Sequence, residues 1–343
     1  MKIGLVCPYD LSIPGGVQNQ VLALAKRLDA LGEETLVIGP GLPEGIAGLD
    51  LGATVSVPGN RSRSPISLDP RVRGLIRETA ADVDVLHVHE PLMPTVSLAS
   101  LRAGPPVVAT FHAAPGVVVR GLYRGLSHGV RLLLGPMVRR VTAVSSTAAA
   151  QLRTGIEVAI VPNGVDVGAM MVPGTERHPH RLAFLGRDEP RKGLDLLLEA
   201  WPQVLAAVPD AELVVMGADR GTPGVRWLGR VGDEVKAEML SSSSVFVAPH
   251  IGGESFGITL VEAMAAGAAV VASNLGAFVD VAQDAARYFP VGDVSRLAEA
   301  LIELLDDRGV REVLASRGEV RAASFDWSYV LAAYRAEYRA ALT

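Results

Sequence analysis

Cysteine is nearly missing: Cys7 is the only one in 343 residues. One thiol excludes an intrachain disulfide and any multi-cysteine zinc site. Its place at the end of an apolar run marks it as a buried, unreactive side chain. No uncharged apolar run reaches the roughly 18 residues of a membrane-spanning helix. The apolar part of the N-terminal segment is too short for a secretory signal, so the cytoplasm is the expected compartment. Charge of one sign is not in excess, and a net charge of −5 carries no nucleic-acid signal. The first strand is not followed by Gly-x-Gly-x-x-Gly, so the dinucleotide fingerprint is absent. The pair Asp82 and Asp84 has metal-binding spacing, but it precedes its strand, opposite the expected site. No other metal constellation stands out.

What the chain has is apolar material, 49% of its residues, in a regular order. Short apolar runs alternate with helical patterns, the signature of parallel α/β sheets. Strands are predicted over 2–7, 34–38, 55–57, 85–89, 106–111, 140–144 and 158–161, with helices such as 17–31 and 93–101 between them. Residues 172–180 are rich in helix and strand breakers and read as a linker. A second series follows: strands over 182–185, 212–216, 225–228, 245–248, 269–272 and 287–289, and helices such as 194–207, 233–241 and 294–305. The prediction is two doubly wound Rossmann-like domains, over 1–168 and 169–325, and a final helical segment over 326–343. Ligands of such sheets bind outside the carboxyl ends of the strands, and a cleft between two such domains is the expected site.

Residues 250–267 carry the strongest local signal. An apolar strand runs into a glycine-rich loop that opens a helix, with Ser255 as its predicted N-cap. Free N–H groups and the positive end of the helix dipole make such a place an anion site. Glu254 in the loop and Glu262, about two turns into the predicted helix, can accept hydrogen bonds from sugar hydroxyls. Together they point to a phosphorylated sugar, with a nucleotide sugar first. Arg187, Arg191 and Lys192 cluster in the loop over 186–193, at the end of another strand. A solvated loop gives the same pattern, but cations there suit the diphosphate of a leaving nucleotide. Gly15 and Gly16 open a helix after the first strand and read either as a tight turn or as a place where backbone approaches phosphate.

Histidines end two strands. His112 can donate to a sugar hydroxyl or carry a proton. His87 and His89 share one strand face; His87 reads as packing and His89 as a candidate for the cleft. Leu68, Val72, Leu75, Ile76 and Thr79 have helical spacing, and Arg71, Arg73 and Arg77 take the other faces. A basic amphipathic helix of this kind can lie on an anionic bilayer, and an ordinary surface helix reads alike. The Arg61-Ser-Arg63 loop before it favours the bilayer.

Glu254-Ser-Phe-Gly followed by Glu262-Ala-Met-Ala-Ala-Gly267 resembles the donor signature of family 4 of the retaining glycosyltransferases. These enzymes have two facing Rossmann-like domains (the GT-B arrangement). Pro14-Gly-Gly-Val-Gln18 and Pro162-Asn-Gly-Val-Asp166 fit that family too. The segments His87-Val-His-Glu-Pro91, Ala109-Thr-Phe-His112 and Ala248-Pro-His-Ile-Gly-Gly are similar to its branch that mannosylates phosphatidylinositol. The resemblance spans nearly the whole chain, to a last helix that in the family crosses back onto the N-terminal domain.

The resemblance implies GDP-mannose as donor, phosphatidylinositol as acceptor, no metal or other cofactor, and attachment to the inner face of the cell membrane. It places Gly16, Arg187, Arg191 and Lys192 at the diphosphate, together with the helix start Ser255, Phe256, Gly257 and Ile258. It places Asp233 and Lys236 at the guanine, Glu262 at the ribose, and Glu254 and His112 at the mannose. Tyr9, Gln18 and Asn60 would face the phosphoinositol. Pro65 stands where the family has an arginine, and Arg63 is the available substitute. Rival readings are a glycosyltransferase of other donor or acceptor, a sugar-nucleotide epimerase, and a membrane protein with a vestigial nucleotide pocket.

Overall fold

The computed structural model describes residues 1–59, 62–112, 134, 138–152 and 157–343. They form two compact units, Met1–Asn163 with Ser328–Thr343, and Gly164–Trp327.

The first unit contains β1 (Lys2–Val6), β2 (Glu34–Gly39), β3 (Gly48–Asp50), β4 (Val55–Gly59), β5 (Ser62–Ile66), β6 (Val85–His89), β7 (Val107–Phe111), β8 (Val138–Ala143) and β9 (Ala159–Ile160). Seven of these make one sheet in the order β3-β2-β1-β6-β7-β8-β9. Every pairing in it is parallel. A parallel sheet is covered on both faces, which is why β6 and β7 are buried throughout. The helix Gly16–Ala30 packs through Val21, Leu24 and Leu28, one face at helical spacing. The strand order reverses between β1 and β6, so the crevice of this sheet opens where those two strands end.

The second unit contains β10 (His178–Leu185), β11 (Glu212–Met216), β12 (Val225–Gly229), β13 (Ser243–Ala248), β14 (Ala269–Ser273) and β15 (Ala286–Phe289). They form a second parallel sheet, β12-β11-β10-β13-β14-β15. Phe184, Leu197, Trp201, Val215, Val247 and Leu301 share its core. Each such side chain contributes about 1.5–3 kcal/mol by leaving water. Here the order reverses between β10 and β13. Thus the loop over 186–193 and the start of the segment over 250–267 leave the two strands at the switch point.

Several local expectations need correction. The strand predicted over 55–57 is β4, which pairs antiparallel with β5 in a separate hairpin rather than joining the sheet. The breaker-rich segment over 172–180 is strand from His178 onward; Pro179 is accommodated where the β10–β13 register shifts. The helix predicted over 93–101 is only Val96–Ser100, because Thr95 before it has φ of +67°. Ser255 is not an N-cap. The chain continues through Gly257, at φ +101°, and the helix is Ile258–Ala265 with Gly257 as its cap. Glu262 therefore sits little more than one turn in.

Candidate active site

The switch point of the second unit is held together by backbone first. Gly193 has φ of +71°, and a Cβ there would lie 1.8 Å from the Pro249 carbonyl oxygen. Only glycine allows the two loops to approach this closely. The Ile251 N–H then donates to the Arg191 carbonyl at 2.9 Å. On this frame Lys192 Nζ donates to Glu254 Oε2 at 2.9 Å and to His250 Nε2 at 3.0 Å. Arg191 Nε donates to Glu189 Oε2 at 2.7 Å, and its other end lies 3.9 Å from Glu254. Arg187 pairs with Glu189 at 3.0 Å, but its side chain is 62% exposed.

Three cations thus meet two carboxylates in a mostly buried cluster. Burial pushes the Lys192 ammonium below its ordinary range, against the pull of Glu254. Burial pushes the Glu254 carboxyl up, and the charge of Lys192, with Arg191 behind it, outweighs this and holds it low. Burial, then the neighbouring Lys192, brings His250 down to about 3, so its ring is neutral and accepts from Lys192. The excess of positive charge, beside a helix start, suits a polyanion. Sequence reasoning found the cations but missed Glu189 and His250, both within segments it singled out.

Lys236 Nζ bonds the mostly buried Glu262 at 2.7 Å and Asp233 at 2.9 Å. Burial lowers the Lys236 ammonium, but Glu262 and Asp233 outweigh that and hold it protonated. Asp233, Lys236 and Glu262 are brought together; Asp233 itself is 92% exposed at its side chain. Ser255 and Phe256 are buried in the loop before the helix.

In the first unit Gly16 opens its helix, and a Cβ there would meet nothing within 4 Å. Gln18 is buried and its Nε2 lies 3.4 Å from the Asp10 carbonyl. Tyr9 bridges Ile66 at the base of the hairpin, and Asp10 N–H donates to Pro65 O at 3.1 Å. Arg63 lies on β5 opposite Pro58; Asn60 lies outside the described residues. Cys7 is fully buried, which pushes its thiol up to about 12.

His112 follows β7 and is buried; its backbone N–H donates to Glu90 Oε1 at 2.9 Å. Its Nε2 lies 2.7 Å from His89 Nδ1. Burial lowers His112 to about 4, with the Asn163 side chain opposing. The His87 ring lies tilted against His89, 4.0 Å between centroids, and bonds Tyr338 Oη at 2.8 Å and Thr110 Oγ1 at 2.6 Å. The reading of His87 as packing fits its burial but misses these bonds. His89 is 1% exposed, inside the unit rather than on a surface.

The basic helix is Val72–Ala80. Val72, Ile76 and Ala80 face inward, while Leu75, Arg73 and Arg77 are exposed. Arg71 precedes the helix, and its Nε donates to both carboxylate oxygens of Asp69, at 3.0 and 2.9 Å. Asp84 accepts the Lys2 N–H at 2.8 Å, before the strands rather than after them. Among the described residues no cluster of His, Cys, Asp or Glu is placed to hold a metal, and no helix is long and apolar enough to cross a membrane.

Two units, each with a parallel sheet and a loop-built polar site at its switch point, define the GT-B class of glycosyltransferases. Comparison agrees. Residues 14–169 match the model described as Glycosyltransferase Family 4, and residues 179–307 match that of Glycosyl transferases group 1. A Mycolicibacterium smegmatis protein named phosphatidyl-myo-inositol mannosyltransferase is 39% identical over 359 residues, covering 97% of this chain and 92% of the relative. A Corynebacterium glutamicum protein is 34% identical over 43% of each chain; it is named GDP-mannose-dependent monoacylated alpha-(1-6)-phosphatidylinositol monomannoside mannosyltransferase. A solved glycosyltransferase from Rickettsia africae has a TM-score of 0.79 at 18% identity, over 100% of this chain and 98% of that one, a likeness of fold. The chain belongs to glycosyltransferase family 4 and is a hexosyltransferase.

Proposed function

We propose that this chain transfers α-mannose, with retention, from GDP-mannose to the inositol ring of phosphatidylinositol at the inner face of the cell membrane. The observation that carries the reading is the mostly buried Lys192–Glu254 pair beside a helix start at the β10–β13 switch point. The near-full-length similarity to a relative of that name supports the acceptor, and the second relative's name supports the donor.

In this reading Arg187, Lys192 and the N–H groups around Ile258 take the charge that develops on the departing diphosphate. Glu254 and His112 bind mannose hydroxyls, Glu262 the ribose, and Asp233 and Lys236 the guanine. Gly16 lets backbone approach the diphosphate. The bond between mannose C1 and the phosphate oxygen breaks, and the inositol oxygen bonds to C1 on the same face. Its proton passes to the departing phosphate oxygen. Tyr9, Gln18, Asn60 and Arg63 hold the phosphoinositol, and Arg73 and Arg77 meet the anionic surface. The domain limits 1–168, 169–325 and 326–343 are part of the same proposal.

Labelled GDP-mannose incubated with the protein and phosphatidylinositol vesicles tests it. The expected result is label in a lipid carrying one mannose. Transfer only to diacylglycerol or a soluble sugar would replace the acceptor, and conversion of the donor without any acceptor would favour an epimerase.

A further inference from the structure

His89 and His112 share one proton across 2.7 Å, and which ring owns it decides what His112 can offer a substrate. Both rings are neutral, since burial lowers each well below its ordinary value. A neutral imidazole has one N–H and one bare nitrogen. The far nitrogen of His89, Nε2, is buried and has no hydrogen-bond partner among the described residues.

Two arrangements are available. If His112 donated from Nε2, the proton of His89 would sit on its own Nε2, a buried N–H with no acceptor. If His89 donates from Nδ1, only a lone pair is left bare at Nε2. Orphaned buried donors are rarer than underused acceptors, because a buried N–H without an acceptor loses its water and gains nothing in return. The second arrangement wins, and it puts the proton of His112 on Nδ1.

The neighbours hold this geometry. His87 is clamped between Tyr338 and Thr110, and Thr110 Oγ1 in turn lies 2.5 Å from Thr142 Oγ1. The His87 ring lies against His89 and limits its rotation. Glu90, at φ +49°, takes the His112 backbone N–H. A non-glycine residue keeps that backbone only where its surroundings compensate.

We infer that His89 is a positioning residue for transfer: by donating from Nδ1 to His112 Nε2 it fixes His112 as the Nδ1–H form, so that His112 presents a donor to the sugar. The inference rests on the proposed place of His112 at the mannose.

The test is the ¹⁵N spectrum of histidine-labelled, ligand-free protein, with His112 identified by its absence from a His112→Asn variant. His112 protonated at Nδ1 and bare at Nε2 is expected; the reverse overturns the inference whatever the enzyme's substrate. Two variants then connect it to transfer. His89→Asn keeps an N–H near the Nδ1 position and His89→Leu does not. His89→Leu is expected to lose on the order of 10² in kcat with little change in KM, the scale of a misplaced reacting group. His89→Asn is expected to recover most of that loss. Equal kcat in wild type and His89→Leu, or equal losses in both variants, overturns the positioning role. Wild-type transfer from GDP-mannose, measured alongside, tests the underlying reading separately from the spectrum.

Discussion

Lys192 Nζ donates to Glu254 Oε2 at 2.9 Å and so ties together the two loops that leave neighbouring strands β10 and β13. The ammonium is both part of the fold and, in the proposed reaction, the charge that meets the diphosphate. Lys192→Ala should therefore lower kcat by about 10²–10³, the scale of a lost charge-stabilising donor. It should also lower stability by about 3 kcal/mol, because Glu254 is left charged in a mostly buried place. Adding Glu254→Gln should recover part of the stability and none of the rate. Urea melts and turnover of Lys192→Ala, Glu254→Gln and the double variant check this; additive stability losses would show that the pair is not coupled.

Two glycines should respond in opposite ways. Gly193→Ala puts a Cβ on the Pro249 carbonyl in a left-handed backbone. A loss of roughly 1–3 kcal/mol is expected, with the donor site disturbed as a consequence. Gly16→Ala meets open space at the first helical position. It should hold or raise stability by up to about 1 kcal/mol, yet weaken donor binding if backbone meets phosphate there. A melt and a GDP-mannose titration of each variant separate the two effects. Unchanged donor affinity in Gly16→Ala would remove Gly16 from the site.

Stability should fall on the acid side before most carboxylates titrate. Burial lowers His87 and His250 to about 3 and His112 to about 4, and holds His89 well below its ordinary value. These folded values lie below the unfolded value near 6.5. The native state stays neutral while the unfolded chain binds protons. The stabilisation is complete above about pH 6.5 and is lost as pH falls toward the folded values, by about 1.4 kcal/mol per histidine per pH unit. Urea midpoints at about pH 7.5 and about pH 5 measure it. A midpoint that does not move would contradict the buried neutral histidines.

Charge on the basic helix should matter unevenly. Arg71 is already engaged by Asp69, while Arg73 and Arg77 are exposed. Each exposed cation near an anionic surface contributes about 1 kcal/mol. Arg73→Ala with Arg77→Ala should weaken vesicle binding by roughly 30-fold, and Arg71→Ala far less. Co-sedimentation with vesicles containing phosphatidylglycerol tests this; equal effects would mean that the helix is not the contact.

The sheets were legible because parallel strands covered on both faces read as unbroken apolar runs, as at β6 and β13. β3, three residues with glycine and aspartate at its ends, has no such run. The cap was misplaced because the loop passes through Ser255 and ends at a glycine in a left-handed turn, a backbone choice that residue type alone did not locate. The cation loop and the Glu254 loop were each visible as local composition. Their contact depends on the order β10-β13, which only the fold decides. The bond between His87 and Tyr338, 251 residues apart, has no local signal at all.

A crystal structure of the GDP complex tests the central claim most directly. The account predicts the diphosphate within hydrogen-bonding reach of Lys192 Nζ and of the backbone N–H groups over 255–258. A nucleotide bound away from both the Lys192 turn and that segment would contradict it.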